Sequence, residues 1–189
     1  MAWLIAGLVL FLGAHSVQIF AGGWRQGLIE RLGAGPWKGL YTLVSLAGLG
    51  LIILGYSRAR GGTPLYALPP GLVHLTLLLV WLGFVCVTAA YWPGNHVKRL
   101  LGDPMVFGVG LWALGHLLAN ASPAALVLFG AFLVWAIVDY LSLRSRSVGT
   151  EAAPARAVNT VGVLVLGTVL AGVFAMWLHL WLIGVAPLG

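Results

Sequence analysis

The sequence predicts an all-α protein, an integral membrane bundle of about six transmembrane helices. Hydrophobic residues make up 61% of its 189 positions and charged residues only 7%, whereas soluble domains carry roughly 25% charged residues. Five runs free of Lys, Arg, Asp and Glu are each long enough for a spanning helix of about 20 residues. One of them, residues 104–138, is too long for one span and contains a turn signal, Asn120-Ala-Ser-Pro123. The composition therefore excludes a soluble domain and favours six spans.

Charges and prolines bound the spans in chain order. The first run ends before Arg25, and the second lies between Lys38 and Arg58. Proline limits the third at Pro69-Pro70 and at Trp92-Pro93, since proline interrupts helices. The turn divides the fourth run, and the fifth holds the last span. The predicted spans are about 3–21, 38–57, 69–91, 104–121, 123–141 and 160–185, in one transmembrane domain over residues 1–189.

The distribution of positive charge predicts the orientation in the membrane. With six spans, the loops on one side carry eight Lys and Arg residues, and the other side carries only Arg58 and Arg60. The eight are Arg25, Arg31, Lys38, Lys98, Arg99, Arg144, Arg146 and Arg156. Positive residues concentrate in cytoplasmic loops, so both termini are expected on the non-cytoplasmic side. The excess of basic residues gives a net charge of +6. These residues are expected to lie against the charged surface of the membrane, and no nucleic-acid partner is expected.

Four of the five histidines lie inside predicted spans: His15, His74, His116 and His179. Ionisable residues are costly in hydrocarbon, so each is a candidate functional residue, although histidines also hydrogen-bond between helices. Paired imidazoles suit haem iron or a divalent metal. The single cysteine, Cys86, gives no thiolate cluster. By depth, His74, His116 and His179 share the outer half of the membrane and form one candidate metal or proton-relay site.

Helical spacing places candidate neighbours beside two of these histidines. Trp112 and Asn120 lie four residues before and after His116, and Gln18 lies three residues after His15. Residues at this spacing share a helix face, so Asn120 and Gln18 could orient the imidazoles and Trp112 could pack on a planar cofactor. The alternative is that all three only pack between helices.

Three segments resemble the NnrU family of bacterial membrane proteins: LFLGAHS, WKGLYTLVSLAGLGLIILGYSRAR, and the stretch from Asp103 to Tyr140 that contains WALGHLLAN. The resemblance covers roughly residues 8–141. At Asp103-Pro104-Met105 the chain departs from the His-Pro-Met that the family often shows. The family is associated with denitrification and nitric-oxide metabolism, and it is similar to the plant 15-cis-zeta-carotene isomerase, a haem b membrane enzyme.

The resemblance implies a haem b protein of the bacterial inner membrane, with His15 and His116 as axial ligands. Its expected activity is a response to nitric oxide or isomerisation of a polyene lipid, so nitric oxide or a hydrophobic small molecule is the expected partner. The alternative hypothesis is a non-catalytic membrane factor or small-molecule transporter that supports denitrification, with structural histidines. Neither the catalytic residues nor the oligomeric state follow from the sequence.

Overall fold

The computed structural model describes residues 1–67, 69, 71–146 and 154–187, and within these ranges it is helical without strands. The central part of the loop between the last two predicted spans lies outside the described residues. The helices are α1 (Ala2–Phe20), α2 (Gly22–Leu32), α3 (Ala34–Ala59), α4 (Leu72–Tyr91), α5 (His96–Leu101), α6 (Pro104–Ala119), α7 (Pro123–Arg146), α8 (Ala157–Val173) and α9 (His179–Ile183). A π-helical turn, Phe174–Leu178, joins α8 to α9.

The predicted fold class, an all-α membrane bundle, is confirmed. Five segments of the described chain are long and apolar enough to cross a membrane: α1, α3, α4, α7 and the continuous stretch Ala157–Ile183. The sixth, α6, is apolar but has only 16 residues, which gives it a length of about 24 Å against a hydrocarbon core of about 30 Å. Its ends therefore lie close to, or just inside, the boundary of an average bilayer core.

Two separate helices occupy residues 104–146. Helix α6 ends at Ala119 and α7 begins at Pro123, where proline costs no hydrogen bond because the first helical N–H has no partner within the helix. The backbone N–H of Ala125 donates to Ser122 Oγ over 3.2 Å, which caps the new helix. The turn brings α6 and α7 side by side.

Two segments interpreted from the sequence as loops are helical. Residues after the first span form α2, and residues after the third form α5. The interpretation was wrong because charges were read as breaks between helices, whereas a charged segment can form a helix lying along the membrane surface. In α2, Gln26 donates to Glu30 one turn later, and the Arg25 guanidinium lies 5.9 Å from the ring centre of Trp37.

The main helices pack in the neighbour order α3, α1, α7, α6, α4, α8. Helices α1 and α3 approach closely at three glycines, Gly7, Gly48 and Gly55, where a Cβ atom would meet the opposing backbone. Small residues at such contacts are typical of helix pairs in membranes. A buried core of α1, α3, α6 and α7 residues includes Leu4 and Phe129. Many large apolar side chains on the outside remain exposed, which is expected of a surface that contacts lipid.

Candidate functional site

His15 lies on α1 with its ring held among aromatic side chains of three helices. Its ring stacks on Phe11 at 4.3 Å and contacts Tyr41 and Trp135 at 5.2 and 6.0 Å, measured between ring centres. His15 Nδ1 lies 2.7 Å from the carbonyl oxygen of Phe11. A carbonyl only accepts, so Nδ1 carries a proton, and in the neutral imidazole Nε2 keeps its lone pair. Nε2 is therefore available as a metal ligand.

A cavity of about 630 Å³ opens beside His15, between α1, α2 and α3. This volume is within the range of sites for small molecules and cofactors, about 300–1,000 Å³. Its lining combines the imidazole with cations and aromatic rings: Ala14, His15, Val17, Gln18, Arg25, Ile29, Ala34, Trp37, Lys38 and Tyr41. A ligand with a planar apolar body and negative groups suits such a lining.

One buried donor beside His15 has no partner. Trp135 Nε1 is buried and makes no hydrogen bond within the described part of the chain, although buried indole N–H groups usually find an acceptor.

Helix α7 also carries Asp139, one turn after Trp135, and Arg146 lies 4.0 Å from the Asp139 carboxylate. Arg146 also donates to the carbonyl oxygen of Gln18 over 3.2 Å. These contacts connect the C-terminal ends of α1 and α7.

His116 lies on α6 in a second aromatic setting. Its ring stacks on Phe129 at 4.7 Å and contacts Trp112 at 5.1 Å. His116 Nδ1 lies 2.8 Å from the carbonyl oxygen of Trp112, the same arrangement as at His15, so Nε2 again keeps its lone pair. Asn120 donates to the backbone carbonyl oxygen of His116, not to its ring.

His179 follows the π-helical turn and approaches His116. The two ring centres are 6.5 Å apart, and the ring planes differ by 22°. His179 Nδ1 lies 2.7 Å from the carbonyl oxygen of Val185, so this ring too keeps Nε2 free. The Phe174 ring, at the start of the π turn, lies 5.9 Å from the His179 ring and nearly perpendicular to it.

The structure does not bring His15 and His116 into ring contact. Their aromatic neighbours on α7 are Trp135 and Phe129, six positions or about 9 Å apart along the helix. Between them, Phe132 contacts Phe11 at 5.8 Å and Trp112 at 5.5 Å. We call Phe11, Phe132 and Trp112 the aromatic layer. It separates two settings, one around His15 and one around His116 and His179.

The other candidate residues, Gln18 and His74, do not contact the histidine rings in the way that the sequence predicted. Gln18 lines the His15 cavity, but the ring of His15 bonds to Phe11 instead. His74 is exposed and makes no hydrogen bond within the described residues. In the described ranges, no three His, Cys, Asp or Glu side chains come together as a metal-binding group, so the His74, His116 and His179 trio is not assembled as one.

Sequence reasoning missed several residues around the two settings. Arg25 and Lys38 were interpreted only as orientation signals, yet both line the His15 cavity. Trp135 and Phe129 were not singled out, although they contact His15 and His116. Phe129, Phe132 and Trp135 follow one another at intervals of three residues, which places them along one side of a helix, so helical periodicity could have pointed to them.

Comparison with known proteins identifies the family. No curated protein and no solved structure matches the chain. A family model described as NnrU protein matches residues 3–187, which cover both histidine settings and all the predicted spans. The chain therefore belongs to the NnrU family of membrane proteins.

Proposed function

We propose that this NnrU-family protein binds haem b beside His15 and acts in nitric-oxide or denitrification metabolism. The observation that carries the proposal is an imidazole with a free Nε2 on a cavity of about 630 Å³ that also presents two cations. Histidine is a common axial ligand of haem iron. The association with denitrification comes from the family resemblance.

The residues around the cavity fit haem in three respects. His15 offers the iron donor through Nε2. Arg25 and Lys38 offer cations to the two propionate groups, and guanidinium pairs well with carboxylate. Trp37 and Tyr41 offer aromatic surface for the porphyrin. The buried N–H of Trp135, beside His15, has no acceptor within the described part of the chain and could donate to a group bound next to His15.

When bound, haem would supply an iron centre able to take up nitric oxide. The residues of the chain hold and orient the group. Phe11 fixes the His15 tautomer through its carbonyl oxygen, and the stacked Phe11 ring restricts rotation of the imidazole. The resemblance implies His116 as the second ligand, and the aromatic layer would have to move for both histidines to reach one iron.

His15→Ala is expected to lower haem content at least about 10-fold, because it removes the iron donor. The protein is expressed with an adequate haem supply and purified in detergent, and haem per mole of protein is measured from the pyridine haemochrome and the Soret band. His74→Ala is the matched control, since His74 is an exposed helix histidine without a hydrogen bond in the described chain. It should keep wild-type haem content.

The same preparation decides between the alternatives. Equal loss in His15→Ala and His116→Ala would support the pair that the resemblance implies, and loss only in His15→Ala would support one protein ligand. Haem-free wild-type protein, or unchanged haem in His15→Ala, would contradict the proposal. Haem-free protein would favour a non-catalytic membrane factor or small-molecule transporter with structural histidines. Isomerisation of a polyene lipid stays a prediction of the resemblance.

We also propose that both termini face away from the cytoplasm of a bacterial inner membrane. Eight of the ten Lys and Arg residues then lie on the cytoplasmic side, among them Arg25 and Lys38 of the cavity lining. A reporter fused after Gly189 should be inactive if it functions only in the cytoplasm and active if it functions only outside. A fusion after Arg146 should give the opposite result. Cytoplasmic activity after Gly189 would contradict this orientation.

A further inference from the structure

We infer that His116 and His179 form a binding site for one divalent transition-metal ion, separate from the His15 cavity. The two residues are on α6 and α9, 63 positions apart in the sequence, and the fold brings their rings to 6.5 Å between centres. Neither ring forms part of the His15 cavity lining. The proposal therefore does not depend on haem binding at His15.

The distance between the rings suits two imidazoles that share an ion. Nitrogen ligands bond Zn²⁺ at about 2.0–2.1 Å, so two imidazoles on opposite sides of one ion have ring centres roughly 6.3 Å apart. A bent arrangement brings them closer. The observed 6.5 Å between ring centres matches this separation, and an ion could bind where the two Nε2 atoms turn toward each other.

The protonation of both rings also suits metal binding. The carbonyl oxygens of Trp112 and Val185 each accept from Nδ1 of their histidine, so Nε2 is the nitrogen that each ring could offer to a metal ion. Ligating histidines typically use one nitrogen for the metal while the other donates to a carbonyl or carboxylate. Here both carbonyls are backbone groups, which fix the tautomers without adding charge.

The surroundings restrict the rings and limit the class of ion. Phe129 stacks on His116, and Phe174 lies edge-on to His179, so both imidazoles have aromatic walls. The π turn immediately before His179 sets its rotation, and such turns occur frequently at functional sites. Neutral nitrogen donors suit Zn²⁺, Ni²⁺ or Cu²⁺ and not Ca²⁺ or Mg²⁺. Two protein ligands leave the other positions to water or a small molecule.

Cu²⁺ is the probe for the test, since it binds nitrogen donors most strongly among these ions and its spectrum reports them. Protein purified without a histidine tag is titrated with Cu²⁺, and the bound ion is counted and examined by electron paramagnetic resonance. Wild-type protein should bind one equivalent with nitrogen couplings. His116→Ala and His179→Ala should each weaken binding at least about 10-fold, since one of two ligands is lost.

His74→Ala and His96→Ala are the control variants, because both histidines are exposed. Both should bind Cu²⁺ like the wild type. Thermal unfolding of each variant checks that the bundle is intact, and His179→Gln offers a second variant that keeps side-chain bulk. Unchanged Cu²⁺ binding in both pair variants would overturn the proposal. Loss of haem in His116→Ala or in His179→Ala would also overturn it, since the pair would then belong to the haem site.

Discussion

Gly55→Ala is expected to destabilise the protein by about 2–3 kcal/mol, near the upper end of what overpacking normally costs. A Cβ atom at position 55 would overlap the backbone nitrogen of Leu4 and lie 2.5 Å from its Cα. Backbone atoms cannot rotate away, so α1 and α3 must separate. Leu4 is completely buried, and its displacement would also open the core shared with α7.

Gly50→Ala on the same helix is the matched control. A Cβ at position 50 has no neighbour within 4 Å, and alanine favours helix over glycine by up to about 1 kcal/mol. This variant should be as stable as the wild type or slightly more so. Thermal unfolding in detergent, followed by circular dichroism and by the monodisperse fraction, measures both. Equal stability of the two variants would show that α1 and α3 do not approach as closely as described.

Asn95→Ala is expected to cost about 2–3 kcal/mol, since it removes a helix cap and leaves buried carbonyls without donors. The Asn95 side chain is 2% exposed. Its Nδ2 donates to the carbonyl oxygens of Ala89 and Trp92, and its Oδ1 accepts from the backbone N–H of Lys98 over 2.7 Å. One amide therefore joins the end of α4 to the start of α5.

Gln26→Ala provides the comparison for this substitution. Gln26 is an exposed residue on α2, and its side-chain amide donates a hydrogen bond to the exposed Glu30. Pairs of this kind contribute about 0.2–0.5 kcal/mol, so its loss should be barely measurable. Chemical unfolding of the two variants in the same detergent gives the difference. An Asn95→Ala protein as stable as Gln26→Ala would mean that water replaces the lost hydrogen bonds.

The helices were predictable where charge and proline mark their ends. Lys38 and Arg58 bound the second span in the sequence, and α3 extends only a few residues beyond the predicted start and end. Pro123 marked the start of α7 because proline at a helix start costs nothing. Helix α2 was missed because a charged stretch at a membrane surface has no apolar run to reveal it.

The candidate site was only partly predictable. Four histidines were singled out because an ionisable residue in an apolar run is conspicuous, and the family resemblance then selected His15 and His116. Their surroundings depend on how α2 returns toward α1 and on the rotation of α7, which local sequence patterns do not fix. Arg25 reaches the cavity because α2 is helical. Haem ligation by the two histidines stays a prediction from the family resemblance.

Because of the π turn at Phe174–Leu178, the direction in which His179 points depends on the number of residues in this segment as well as on their identity. A π turn holds about one residue more than an α-helical turn, so it acts as a one-residue insertion inside a helix. Without it, every later side chain would rotate by about 100° about the helix axis. In an alignment of NnrU-family sequences, a single gap within this segment would therefore decide which position is equivalent to His179. This holds even where the flanking residues align without ambiguity.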